Sequence, residues 1–255
     1  TLNALDMGHL APSDTVELGT TLTNTELFND EIDDSVEEIK MPDGYKRTFR
    51  NRYLKSRGML IDDFEYFPCG TTRGMNRRFD DYVLMEVSDR GKLVGYVGRH
   101  IWDKDDIDDY NMKHRYQIRR YMNSTENQFT KILYNYDAII CNTTDTVVLC
   151  EGVFDVIGLN RGMNLYDNKR IVPIATFGKK ISECQMFKLQ QQGIKTIIIG
   201  YDNDEAGQES IFHVATLLEQ YFDVFCISFP KDSAKDFGEM SREEMYDIFA
   251  NHIVT

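Results

Sequence analysis

The chain has 255 residues, 42% of them hydrophobic, enough to bury a core as one large domain or two small ones. Its formal net charge of −13 excludes a uniformly basic nucleic-acid binder. The charge is unevenly spread: residues 1–45 hold one lysine against eleven acids, residues 46–135 hold 18 Lys/Arg against 13 acids, and residues 136–255 hold 10 against 18.

Residues 1–40 are acidic, rich in Thr, Asn and Asp, and lack a sustained apolar period, so they are expected to form a linker or loosely ordered arm. Met41-Pro42-Asp43-Gly44 breaks the chain and marks a boundary. Beyond it, Arg50 to Gly58 predicts a basic amphipathic helix closed by glycine, followed by a short aromatic stretch at Ile61–Phe67. A basic loop with Arg73, Arg77 and Arg78 comes next. Asp81–Ser88 and Lys92–Gly98, separated by Asp89-Arg90-Gly91, predict a β-hairpin, with Arg99 at the end of its second strand. Asp103 to Asp109 is expected as an acidic loop. A dense basic run, Lys113-His114-Arg115 and Arg119-Arg120, leads into Tyr121-Met122-Asn123-Ser124. Phe129, Ile132, Leu133 and Tyr136 recur at helical spacing, with Lys131 on a neighbouring face.

The last part alternates in type. Strands are predicted at Val147–Cys150, Ile171–Thr176, Lys195–Gly200 and Val224–Phe229, with helices near Asp155–Arg161, Ile181–Gln192, Glu205–Gln220 and Glu239–His252. Such alternation implies right-handed crossovers and a parallel sheet. The fold class is therefore α/β, a parallel sheet flanked by helices and preceded by a smaller mixed α+β subdomain. The expected division is an arm over 1–40, a basic subdomain over 41–145, the sheet domain over 146–237 and a C-terminal helix over 238–255.

Four acids fall at strand ends or just past them: Glu151, Asp202, Asp204 and Asp236. Open α/β sheets place ligands there. Asp202 and Asp204 alternate, so both can point the same way. Clustered carboxylates raise one another's pKa unless a cation neutralises them, and Mg²⁺ suits such oxygen ligands. Asp155 serves equally well as a plain helix cap. The five cysteines (Cys69, Cys141, Cys150, Cys184, Cys226) form no Cys-x-x-Cys pair, and the five histidines lack ligand spacing, so no zinc ribbon is expected. Cys150 and Cys226 are expected in the core. There is no apolar stretch of about 18 residues, hence no expected membrane partner, and no signal-peptide pattern, so a cytoplasmic location is expected. The chain begins with Thr1 rather than Met, so adjoining domains are expected to be missing.

Glu151-Gly152-x-x-Asp155 followed by Asp202-x-Asp204-x-Ala206-Gly207 resembles the Toprim domain shared by bacterial-type primases, topoisomerases and some nucleases. The upstream half narrows the choice. Tyr121-Met122-Asn123-Ser124, Asn127, Phe129, Lys131 and Leu133-Tyr134 resemble the stretch preceding Toprim in bacterial replicative primases. Lys92 to Arg99 is similar to the strand ending in Gly-Arg of those enzymes, Tyr53-Leu54-x-x-Arg57-Gly58 to their opening helix, and Ala175-Thr176-Phe177-Gly178 to their Leu-Gly-Thr segment. The family's Asp-Pro-Asp is here Asp236-Phe237-Gly238, and its zinc-binding module has no counterpart in these residues.

The resemblance implies the catalytic core of a Toprim-containing DNA primase, with phage primases offering comparably lean cores. Glu151, Asp202, Asp204 and Asp236 would hold Mg²⁺ or Mn²⁺, two ions in all, with Glu151, Asp202, Asp204 and Lys131 as the catalytic set. Arg99, Lys131, Arg73, Arg77, Arg78, Arg119 and Arg120 would face nucleotide or template. Expected partners are single-stranded DNA, NTPs and a replicative helicase. A Toprim nuclease or a non-catalytic Toprim scaffold would share the domain. The chain has no Gly-x-x-x-x-Gly-Lys-Ser/Thr loop and is not expected to be itself a helicase.

Overall fold

The computed structural model describes residues 32–124, 128–203, 205–230 and 233–255. Two five-stranded sheets organise them. The first sheet is antiparallel and takes its strands in chain order: β1 (Lys46–Arg47), β2 (Cys69–Thr71), β3 (Tyr82–Asp89), β4 (Lys92–His100) and β5 (Tyr121–Asn123). The expected hairpin is β3–β4, turning at Arg90 and Gly91, both at positive φ. Helices α1 (Arg52–Ser56) and α2 (Ile61–Tyr66) sit between β1 and β2. The Asn51 side chain caps α1 by accepting the Leu54 N–H.

Two expectations fail in this half. The acidic Asp103–Asp109 stretch is not a loop but the start of α3 (Lys104–Lys113). Asp103 caps it, accepting the Asp106 N–H at 2.8 Å, Asp105 and Asp106 lie in its first turn, and Lys113 in its last. Acids at the start and a base at the end match the helix dipole, which outweighs the low apolar content. Conversely, Phe129–Tyr136 is not a helix. Tyr134 exchanges backbone hydrogen bonds with Ala175, and Asn135 then adopts φ +64°, which stops a right-handed helix. Ile132, Leu133, Tyr134 and Tyr136 are still buried, because the chain lies against the second sheet instead.

That second sheet has the order β10-β9-β8-β6-β7. Its members are β6 (Thr146–Cys150), β7 (Ile171–Ala175), β8 (Thr196–Ile199), β9 (Asp223–Ile227) and β10 (Ile253–Val254). The first four pair in parallel, while β10, which was not anticipated, runs antiparallel to β9. Helices α4 (Val153–Gly162), α5 (Glu183–Gln191), α6 (Glu205–Leu218) and α7 (Arg242–Asn251) follow β6, β7, β8 and β9 in turn. Every residue of β6 is buried, as a strand covered on both faces and paired on both edges must be. One core joins both sheets, with Met85, Val87 and Val97 from the first and Val148, Cys150 and Ile198 from the second. Cys150 is in that core, whereas Cys226 is only half-buried, and all five thiols are free. Among the described residues, no helix is long and apolar enough to cross a membrane.

Candidate functional site

The register sets up the site. Leu149 lies opposite Ile199 and Cys150 opposite Ala175, so β6, β7 and β8 finish level. From β6 the chain passes to β7 on one side, then crosses to β8 on the other. The cleft between the carboxyl ends of β6 and β8 is therefore the switch point of the sheet, the usual ligand position in this architecture. Glu151 directly follows β6, and Asp202 comes three residues after β8.

Their side chains converge there. Glu151 Oε1 accepts the Asp202 N–H at 2.9 Å. One carboxylate oxygen each from Asp155, Asp202 and Asp236 lie within 4.8 Å of one another. Asp236 comes from the segment after β9, stretched over α4. Gly158 of α4 makes this possible: a Cβ there would meet the Phe237 carbonyl oxygen at 2.2 Å. Asp155 plays both roles weighed for it, since its Oδ2 also accepts the Gly152 N–H at 2.9 Å and caps α4. Capping alone would have hidden its part in the cluster. Asp204 lies outside the described residues.

The electrostatics suit a cation. Burial pushes the Asp155 carboxyl well above its ordinary range, and Asp236 and Asp202 push it further. Asp236 is likewise raised, by burial first and then by Glu239 and Asp202. Three hard oxygen donors this close together, two of them resisting ionisation, are a fitting set for a divalent ion such as Mg²⁺. Cations also ring the cluster. Lys179 Nζ is 3.6 Å from Glu151 Oε1, and Lys235 Nζ is 3.4 Å from Asp202 Oδ2. Arg57 reaches in from α1: its Nη1 is 3.4 Å from Glu239 Oε1, and its guanidinium stands over the Phe154 ring. Its charge offsets part of the upward push on Asp236. Neither lysine was foreseen, because no motif marks them and only the loops bring them in.

The remaining expected residues lie elsewhere. Lys131 Nζ is 2.7 Å from Asp33 Oδ2 and 3.4 Å from the Ser35 carbonyl oxygen. Arg99 is buried, its Nε donating to Tyr53 Oη at 3.0 Å and its guanidinium over the Tyr121 ring, with Nη1 left without a partner. Arg73 is exposed at φ +51°. Arg77 and Arg78 are exposed on a 3₁₀ turn at Arg77–Phe79, Arg78 also touching Met122 Sδ. Arg119 and Arg120 are exposed, and their carbonyls accept from Tyr82 Oη and the His100 N–H.

Residues 148–241 match a family described as Toprim-like. The chain is similar to the DNA primase of Mycoplasma pneumoniae, 27% identical over 176 residues, which cover 66% of this chain and 25% of that protein. The DNA primase of Mycoplasma genitalium is 24% identical over 140 residues, 52% of this chain and 20% of that one. The chain thus spans about a quarter or less of the length of these relatives. In fold it is similar to the primase fragment of the bacteriophage T7 primase-helicase protein, with a TM-score of 0.54 at 17% identity, over 78% of this chain and 74% of the other. Residues 148–241 are therefore similar to a Toprim-like domain, and the chain as a whole shares its fold with the T7 primase fragment.

Proposed function

We propose that this chain is a primase catalytic core, a nucleotidyltransferase that makes short RNA primers on single-stranded DNA. The observation that carries the reading is the convergence of Asp155, Asp202 and Asp236, with Glu151 alongside, at the switch point of the sheet. In this reading Glu151, Asp202, Asp204 and Asp236 hold two Mg²⁺ or Mn²⁺ ions, and Asp155 joins them. Such ions, when bound, lower the pKa of the primer 3′-hydroxyl and neutralise phosphate charge. The 3′-oxygen bonds the α-phosphorus, its proton passes to solvent, and the α–β anhydride bond breaks to release pyrophosphate.

The earlier division of the chain remains part of the proposal: arm, basic subdomain, Toprim domain and C-terminal helix over 1–40, 41–145, 146–237 and 238–255. Arg73, Arg77, Arg78, Arg119 and Arg120, all exposed, would track the template backbone with a strong salt dependence. The partnerless Nη1 of buried Arg99 supports a phosphate acceptor near it. Lys131 would meet a phosphate once Asp33 releases it. The T7 relative joins a primase to a helicase, and we carry a replicative helicase over as the expected partner, acting in the cytoplasm.

Primer synthesis on single-stranded template with NTPs and Mg²⁺ tests the reading. Asp202→Ala should abolish it, and wild-type activity in that variant would remove the metal assignment. Release of labelled nucleotides from DNA without NTPs would replace the polymerase with a nuclease.

A further inference from the structure

Lys179 and Lys235 approach the acidic rim from opposite sides. Lys179 belongs to the loop after β7, which neighbours β6; Lys235 belongs to the loop after β9, which neighbours β8. The two ammonium groups thus bracket the pair of strand ends that present Glu151 and Asp202.

Each lysine is carried on a loop tied to the strand end it faces. The Gly178 N–H donates to the Glu151 carbonyl at 2.9 Å, and the Thr176 N–H to that of Cys150 at 3.2 Å. Thr176 Oγ1 donates to the Gly178 carbonyl at 2.7 Å. Phe177 is held at φ +61°, a conformation that costs a phenylalanine energy and persists only where its surroundings impose it. Its ring meets that of Phe129 edge-on at 4.7 Å. On the other side, the Asn203 N–H donates to the Lys235 carbonyl at 2.7 Å, and Asn203 Nδ2 to that of Pro230 at 3.3 Å. The backbone that carries each lysine is thereby fixed beside the acids, with the Lys179 side chain largely covered and that of Lys235 half exposed.

A divalent ion on these carboxylates would compete with the lysines for the same oxygens. The ammonium groups would then face whatever anion enters with the ion, and a chain of phosphates matches two cations set on opposite flanks of one cleft. We propose that Lys179 and Lys235 are the polyphosphate-binding pair of this site, holding the phosphates beyond the α position of a nucleoside triphosphate. The assignment rests on the nucleotidyl-transfer reading for the identity of the nucleotide, but its chemistry is that of polyphosphate recognition.

The test is calorimetric binding of an α,β-methylene nucleoside triphosphate, the matching monophosphate and inorganic tripolyphosphate to the full chain in Mg²⁺. Lys179→Met and Lys235→Met should each weaken the triphosphate about tenfold, the loss expected for one charge-assisted contact, with tripolyphosphate falling in parallel. Monophosphate affinity should change less than about twofold, and Lys→Arg at either position should keep most of the triphosphate affinity because the charge remains. Mg²⁺ affinity without nucleotide should hold or tighten, since an internal competitor has gone. Equal losses for mono- and triphosphate, or no loss in either variant with a native circular-dichroism spectrum, overturn the assignment. Should the Met variants not fold, Lys179→Gln and Lys235→Gln are scored the same way. A wild-type chain that makes no primer, yet loses triphosphate selectivity in both variants, keeps this assignment and removes the polymerase reading.

Discussion

Lys188 of α5 and Asp89 at the end of β3 form an ion pair in which neither side chain is exposed to solvent. It joins a helix packed beside the second sheet to the hairpin of the first. The Lys188 ammonium also stands 5.5 Å from the Tyr136 ring centroid, while Asp89 Oδ1 is buried with no hydrogen-bond partner. Removing Lys188 leaves Asp89 only the Arg90 guanidinium at 3.7 Å, and removing Asp89 strands the Lys188 ammonium in the core. Lys188→Met should cost about 3–5 kcal/mol, whereas Lys188→Met with Asp89→Leu should recover most of that loss. Urea unfolding of the four proteins of this cycle measures both effects.

The acid cluster makes a prediction about stability without metal. Asp236 titrates above its ordinary value, so the native state binds more protons than the unfolded chain between the two pKa values. Metal-free stability should therefore fall as pH rises through that interval, and stay low above it. Asp236→Asn removes the penalty: its melting temperature in EDTA at pH 7.5 should exceed wild type by about 2–4 °C, the shift expected for about 1 kcal/mol in a chain of this size. It should also lack the Mg²⁺-dependent rise expected of wild type. Differential scanning calorimetry with and without Mg²⁺ decides it.

Gly158 offers a structural route to the same site. An added Cβ at 158 would strike the backbone of Phe237 and Gly238, the segment that delivers Asp236. Gly158→Ala should cost about 1–3 kcal/mol by overpacking and should weaken Mg²⁺ binding, although it touches no carboxylate. Gly162→Ala is the control. Its Cβ would meet the Met245 side chain, which can move, so Mg²⁺ affinity should hold. Isothermal titration of the two variants separates the outcomes.

The acidic segment after residue 32 lies on cations that a nucleic acid would want. Asp33 pairs with Lys131 and Asp34 with Arg90, and Gln128 exchanges hydrogen bonds with the Glu37 backbone. The Asp33 carboxyl is held below its ordinary range by the Lys131 ammonium. Asp33→Asn with Asp34→Asn should tighten single-stranded DNA binding several-fold at low salt and steepen its salt dependence by one to two phosphate contacts, about 0.7 each in the log–log slope. Fluorescence anisotropy of a labelled oligonucleotide across a salt series reads both.

The parallel sheet was legible because its central strands are buried on both faces, which leaves an unbroken apolar run such as Thr146–Cys150 or Thr196–Ile199. Glu151, Asp202 and Asp236 followed from where those runs stop. Asp155 was only half legible, because a cap and a cluster member look alike in one dimension. Lys179 and Lys235 could not be read at all, because they arrive on loops shaped by backbone bonds; Arg57 was read as part of a basic helix but not as a neighbour of Glu239, 182 residues away in the chain. The failure at Phe129–Tyr136 has a related cause. Its apolar spacing records burial against the second sheet, and a partner strand segment at Ala175 decided the conformation.

The contact between Arg57 and Glu239 ties the end of α1 to the segment bearing Asp236. Through this contact, ligand occupancy at the rim is expected to favour docking of α1. Saturating Mg²⁺ should then slow amide hydrogen exchange at Leu54, which is fully buried in α1, as well as at the acids themselves. A centre built by distant parts of a chain acts in this way as a latch on its own architecture.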